Sequence, residues 1–182
     1  MPCLWTIGHS TRSIDVFIGL LKAYQIELLV DVRIIPFSRR NPQFHTAALA
    51  ASLQGVGLRY HHLSALGGRR KSQPDSMNLG WRNAHFRGYA DYMQTEFFER
   101  GLKELILLAK NARSAVMCAE AVPWRCHRSL IADALVSRKW KVQHIMTTSK
   151  VDVHTLPSFA RLANGKLYYP LSPDTERTLP ML

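Results

Sequence analysis

Short apolar runs alternate with amphipathic stretches along most of this chain. Residues 4–7 are an apolar run closed by Gly8-His9-Ser10, which reads as a strand and a turn. Ser13 then stands as an N-cap with Asp15 in the first turn, and Ile14, Phe17, Ile18, Leu20 and Leu21 recur at helical spacing. Leu28-Leu29-Val30-Asp31-Val32 shows no alternation, as in a strand covered on both faces. An Ala- and Leu-rich helix is expected over 46–54, stopped by Gly55 and Gly57, with a third strand over 58–61. Two helical patterns follow at 89–98 and 102–109, split or kinked at Gly101. Strands over 114–118 and 142–146 flank a helix over 129–138, and the tail suggests a short helix near 156–159 and an edge strand near 167–169.

Strands that alternate with helices favour parallel pairing, because parallel neighbours need crossovers. The expected fold is therefore a single α/β domain over 1–182, with a mostly parallel five-stranded sheet and helices on both faces. Two regions stand apart: a long, partly mobile surface loop at about 67–88 and a C-terminal extension at about 150–182.

Composition narrows the function classes. The chain has 182 residues, and 47% of them are hydrophobic, enough for one sizeable core rather than a disordered segment. Lys and Arg outnumber Asp and Glu by 24 to 13, a formal net charge of +11. That balance points to a phosphorylated small molecule or a nucleic acid as partner. Gly68-Arg69-Arg70-Lys71 with Trp81, Arg82, His85, Phe86 and Arg87 interleaves cations and aromatics, as single-strand-binding surfaces do, although such aromatics also serve to anchor a loop. Three cysteines, widely spaced, do not make a disulfide scaffold. No apolar stretch reaches membrane-spanning length, and the first residues lack the pattern of a signal peptide, so a reducing cytoplasm is the expected location. The sequence leaves the oligomeric state open.

The candidate chemistry concentrates in Met117-Cys118-Ala119-Glu120-Ala121-Val122-Pro123-Trp124-Arg125-Cys126-His127-Arg128, which crosses from a strand to a helix. A helix start presents unpaired N–H groups and a positive dipole end, which attract anions and favour thiolates. In open α/β sheets ligands bind beyond the carboxyl ends of the strands. His9 and Ser10 follow the first strand, Arg33, Ser38 and Arg39 the second, and Cys118 and Glu120 the fourth, so these groups are expected to converge on one rim.

Each residue carries two readings. Cys118 is either a nucleophile or a small apolar group closing a strand. Cys126 is a redox partner, a helix-start thiol or a packed side chain. Whether it can pair with Cys118 depends on Cα atoms approaching within about 7 Å. Glu120 is a general base or metal ligand, or it pairs with Arg33 or Arg128. Asp31, inside an apolar strand, must be paired or protonated. Arg33, Arg39 and Arg128, with Ser10, Ser38, Cys126 and His127, make a candidate anion site, or else form ion pairs with Asp31 and Glu120. His9 and His127 are acid–base groups or loop ties. Cys118, Cys126, His127 and His9 are metal-ligating types, but Cys-x7-Cys-His is not a usual zinc spacing, so no metal and no cofactor are expected.

Thr6-Ile7-Gly8-His9-Ser10, Val30-Asp31-Val32-Arg33 with Pro36, Ser38 and Arg39, Leu66-Gly67-Gly68, and Met117-Cys118-Ala119-Glu120 with Pro123 and Cys126-His127-Arg128 resemble the domain of unknown function 488 family. The likeness spans roughly 4–145 and carries four motifs in order. It implies a compact α/β domain and a bacterial or archaeal source, and supplies no reaction. A weaker likeness is to rhodanese-like domains and low-molecular-weight phosphatases, which also place a Cys between a strand and a helix. Here six residues separate Cys118 from Arg125, one more than the phosphatase loop has, and Pro123 lacks an amide to offer an anion.

The leading expectation is an enzyme acting on a phosphorylated or nucleic-acid substrate, with Cys118, Glu120 and His9 catalytic. The alternatives are a non-catalytic nucleic-acid or partner-binding module and a thiol redox sensor built on Cys118 and Cys126.

Overall fold

β1 (Cys3–Gly8), β2 (Leu28–Asp31), β3 (Arg59–His62), β4 (Ser114–Cys118) and β5 (Lys141–Ile145) are five parallel strands, as the alternation of strands with helices foretells. They are seen in a computed structural model of the chain, which describes residues 1–171. The spatial order is β3-β2-β4-β1-β5-β6, where β6 (Val151–Val153) is a sixth strand, antiparallel to β5. Its three residues, Val-Asp-Val, are too few for a legible pattern. They are folded back by a turn in which Met146 and Thr147 donate to the Lys150 carbonyl.

Side chains alternate across each strand, so the sheet divides the core in two. Trp5, Ile7, Leu29 and Met117 face α1 (Ile14–Ala23) and α2 (Thr46–Gln54), where Phe17, Leu21, Leu49 and Leu53 are buried. Leu4, Val30, Val116 and Val142 face the other way, packing with Tyr89 of α3 (Ala84–Tyr92), Leu102 and Leu105 of α4 (Glu96–Asn111) and Leu130 and Ile131 of α5 (Arg128–Val136). Ser13 accepts from Val16 N at 3.3 Å and caps α1, the cap expected from its position.

Three details depart from the sequence pattern. α4 runs unbroken through Gly101, and the break between helices falls earlier, where Thr95 accepts from Phe98 N at 3.2 Å. Gly101 is there for space, since a Cβ would stand 3.0 Å from Cβ of Ala65. The irregular stretch after Gly67 ends at Asn83, which caps α3, rather than at Gly88. It is fastened to Asp91, whose carboxylate accepts from Gln73 N at 2.8 Å, Ser76 Oγ at 2.6 Å and Asn78 Nδ2 at 2.8 Å. Pro157 to Ala160 form a turn, not a helix, and the expected edge strand near 167–169 pairs instead in a separate hairpin, β7 (Arg161–Ala163) with β8 (Lys166–Tyr168). The remainder of the C-terminal extension, 172–182, lies outside the described residues. No helix among the described residues is long and apolar enough to cross a membrane.

Candidate functional site

The three strand ends that carry His9, Arg33 and Cys118 are immediate neighbours. β4 lies between β1 and β2, with Gly8 opposite Cys118 and Asp31 opposite Met117. The chain continues this pairing past the strands: His9 N donates to the Cys118 carbonyl at 3.0 Å, and Ser10 N to that of Ala119 at 2.8 Å. Gly8 is required by closeness, because a Cβ there would collide with the Glu120 carbonyl. The side chains nevertheless do not meet in one pocket. Asp31 shares its face with Leu29 and Met117, and Cys118 shares its face with Val116, so the alternation sends them to opposite sides.

On the α1–α2 side, Asp31 and Arg33 form a closed ion pair. Arg33 Nη2 lies 2.6 Å from Asp31 Oδ2, and Nε lies 2.9 Å from Oδ1. Nη2 also donates to the Phe44 carbonyl at 2.8 Å, and the Tyr60 hydroxyl donates to Asp31 Oδ2 at 2.8 Å. The fork that was expected to hold an external anion is filled by Asp31, so Arg33 is a structural group. His9 is stacked on Phe44, with ring centroids 4.3 Å apart. Its Nδ1 donates to the Ser10 carbonyl at 2.8 Å, which leaves Nε2 to accept from Arg33 Nη1 at 3.3 Å. Burial, with Arg33 beside it, lowers its pKa to about 4, so the imidazole is neutral near pH 7. A buried neutral ring with both nitrogens engaged ties the loop; it is not placed as a catalytic acid or base.

On the α3–α5 side, Cys118 from the end of β4 meets Cys126 and His127 from the approach to α5. Pro123 opens a single 3-10 turn that reverses the chain, and Cys126 N donates back to the Pro123 carbonyl at 2.9 Å. His127 Nδ1 lies 3.8 Å from Cys118 Sγ and 3.7 Å from Cys126 Sγ, and the three atoms all fall within 4.8 Å of one another. Both thiols are buried and unbonded. The pair shares its protons unequally. The nearness of the Cys126 thiol, together with burial, pushes the Cys118 thiol up, while the same closeness, aided by His127 and the charge of Arg128, brings Cys126 down. Cys126, not Cys118, is thus the more acidic thiol.

The remaining candidates are dispersed. Arg128, 1% exposed, donates Nη1 to the Glu120 carbonyl at 2.5 Å and Nη2 to the Ala121 carbonyl at 2.9 Å. It holds the backbone of the Cys118-to-Cys126 loop from inside the protein, with Nε buried and without a hydrogen-bond partner among the described residues, so it does not present a fork to solvent. The Glu120 side chain is exposed and makes no ion pair among the described residues, where its carbonyl is what accepts from Arg128. Ser10 takes a left-handed turn at φ 51°, and Ser38 accepts from Asn41 N at 3.2 Å. Arg39 is exposed in the loop after β2. Trp81 packs inward, stacked on Phe86 at 5.0 Å and edge-on to Phe159 at 5.1 Å, so it anchors its loop.

One network had no sequence signal. Thr6 Oγ1 bonds His144 Nδ1 at 2.7 Å, His144 Nε2 bonds His154 Nδ1 at 2.9 Å, His154 Nε2 meets Asp133 Oδ1 at 2.6 Å, and the Tyr169 hydroxyl donates to Asp133 Oδ2 at 2.7 Å. Its members are scattered through the sequence, and each is an ordinary residue in its own segment.

Fold and site together define a doubly wound α/β protein with a thiol–imidazole cluster at the carboxyl edge of its sheet. Cys118, Cys126, Gly67, Gly68 and the buried Asp31-Val32-Arg33 all lie within one matched stretch: the domain of unknown function DUF488 matches residues 13–135. The chain belongs to the DUF488 family. No curated protein and no solved structure matches it.

Proposed function

We propose that this is a thiol-based protein whose centre cycles Cys118 and Cys126 between dithiol and disulfide. The observation that carries the reading is the meeting of both sulfurs with the His127 imidazole, all within 4.8 Å, at the junction of β4 and α5. With a small-molecule disulfide as oxidant, the Cys126 thiolate attacks one sulfur, forms a mixed disulfide and expels a thiolate. The Cys118 thiol then gives up its proton to that leaving group and attacks the Cys126 sulfur. The protein disulfide forms, and the second half of the external disulfide leaves as a thiolate. Two thiols are oxidised and one external disulfide is reduced. A reducing compartment holds the pair as the dithiol.

This reading displaces the expectation of a phosphoryl or nucleic-acid enzyme, because Arg33 and Arg128 are consumed inside the protein. Exposed Arg39 and the net charge of +11 remain for weak, salt-sensitive contact with polyanions.

The test is exposure of the reduced protein to oxidised glutathione. Wild type is expected to lose about two mass units, as two S–H bonds become one S–S bond. Cys118→Ser should stop at a mixed disulfide on Cys126. Cys126→Ser should react far more slowly than Cys118→Ser. Wild-type thiols that resist oxidation in the folded protein would defeat the reading.

A further inference from the structure

The spacing of the three donor atoms is informative in itself. His127 Nδ1 stands 3.7 and 3.8 Å from the two sulfurs, nearly equidistant and within the reach of a sulfur hydrogen bond to either. Those distances also suit a second arrangement. Around a tetrahedral zinc ion, with Zn–S of about 2.3 Å and Zn–N of about 2.0–2.1 Å, the sulfur–nitrogen edges are about 3.5 Å. Both observed edges are within a few tenths of an ångström of that figure. The limit of 4.8 Å on all separations also admits the sulfur–sulfur edge of about 3.8 Å that the same tetrahedron needs.

The surroundings point the same way. The ring of His127 is held by Tyr89, with centroids 5.0 Å apart, and by the backbone of Gly68. Its Nε2 is buried without a hydrogen-bond partner among the described residues, and Nδ1 faces the two sulfurs. Two thiolates neutralise a dication, which makes the loaded centre tolerable in a buried place. Sulfur and imidazole donors select zinc over magnesium or calcium.

We infer that, in the reduced protein, Cys118 Sγ, Cys126 Sγ and His127 Nδ1 bind one zinc ion. Three protein ligands leave a fourth position for a water or substrate atom, the pattern of catalytic rather than structural zinc sites. The linear Cys-x7-Cys-His spacing hides this set, because the 3-10 turn at Pro123 supplies the reversal that a zinc-finger knuckle usually provides. The inference stands whether or not the sulfurs ever form a disulfide.

The experiment is a titration of the full-length, reduced, metal-free protein with cobalt(II), followed by zinc. One equivalent of cobalt should give the visible bands of a tetrahedral site and a near-ultraviolet thiolate-to-cobalt band, both lost on adding one equivalent of zinc. Cys126→Ser and His127→Ala should abolish the tetrahedral spectrum, while Cys3→Ser, at the start of β1, should leave it unchanged. Circular dichroism on each variant separates lost ligands from lost fold, and the wild-type spectrum needs no variant at all. Absence of stoichiometric cobalt in folded wild type, or a spectrum that survives Cys126→Ser, overturns the site. A protein that takes no cobalt but still forms the Cys118–Cys126 disulfide loses only this inference. One that binds cobalt yet resists oxidised glutathione loses only the redox reading.

Discussion

Gly68 lies against the imidazole of His127, so close that a Cβ at Gly68 would stand 2.7 Å from Nδ1. The preceding glycine is equally constrained, since a Cβ at Gly67 would collide with the side chain of Ile34. The Leu66-Gly67-Gly68 motif is therefore a matter of room, not of unusual backbone angles. Gly68→Ala should displace the His127 ring, cost about 1–3 kcal/mol by overpacking, and weaken cobalt binding. The matched control is Gly19→Ala on α1, where an added Cβ meets nothing within 4 Å. It should stabilise the protein by roughly 0.5–1 kcal/mol. Urea melts of the two variants check both signs.

Asp31 and Arg33 form the buried ion pair that joins β2 to the loop before α2, with Asp31 at 0% exposure. Removing one partner strands the other charge, so Asp31→Ala should cost about 3–5 kcal/mol. The double change Asp31→Ala with Arg33→Ala should cost less than the sum of the single changes, because the stranded charge goes with its partner. Additive losses in chemical denaturation would show that the two side chains act independently.

Arg128 and Glu120 should respond in opposite ways to truncation. Arg128→Ala leaves two carbonyls unpaired beneath the loop and should destabilise by about 2–4 kcal/mol. Arg128→Lys should recover only part of this, because an ammonium cannot span two carbonyls as a guanidinium does. Glu120→Ala removes an exposed side chain and should change stability by about 0.5 kcal/mol or less. An equal loss in both variants would mean that the Glu120 carboxylate holds the loop.

Acid should weaken the fold through His144. Burial, with the charges of His154 and Arg128 nearby, lowers its pKa from 6.5 to about 3. The folded state therefore favours the neutral ring, and the unfolded chain binds the extra proton first. The stabilisation is full above about pH 6.5 and is lost as pH falls toward 3. Between pH 7 and pH 5 this group alone should remove on the order of 2 kcal/mol. His144→Gln should flatten that slope, as followed by urea midpoints across the range. An unchanged slope would assign the acid sensitivity to other groups.

The sequence announces the sheet better than the site. Runs such as Leu28-Leu29-Val30 are apolar because strands buried on both faces must be, and that requirement is local enough to read. The pairing of Asp31 with an arginine was one of the outcomes open there, because a carboxylate in such a run must be paired or protonated. What a linear reading misses is parity. His9, Arg33 and Cys118 do reach one rim, yet side chains at successive positions point to opposite faces, and register decides which residues share a side. Gly101 misleads for a similar reason: a glycine in a helical pattern suggests a kink, but its cause lies across the core in Ala65 and Leu66. The chain from Thr6 to Tyr169 is invisible until the strands are ordered, since its partners are up to 138 residues apart.

Met117 and Cys118 are consecutive, yet they open onto separate compartments, one braced by an internal ion pair and the other lined with sulfur. A single strand end thus serves as a party wall between a keystone and a workshop. Changes of chemistry in the sulfur chamber can be tried, by nature or by a designer, without loosening the brace next door.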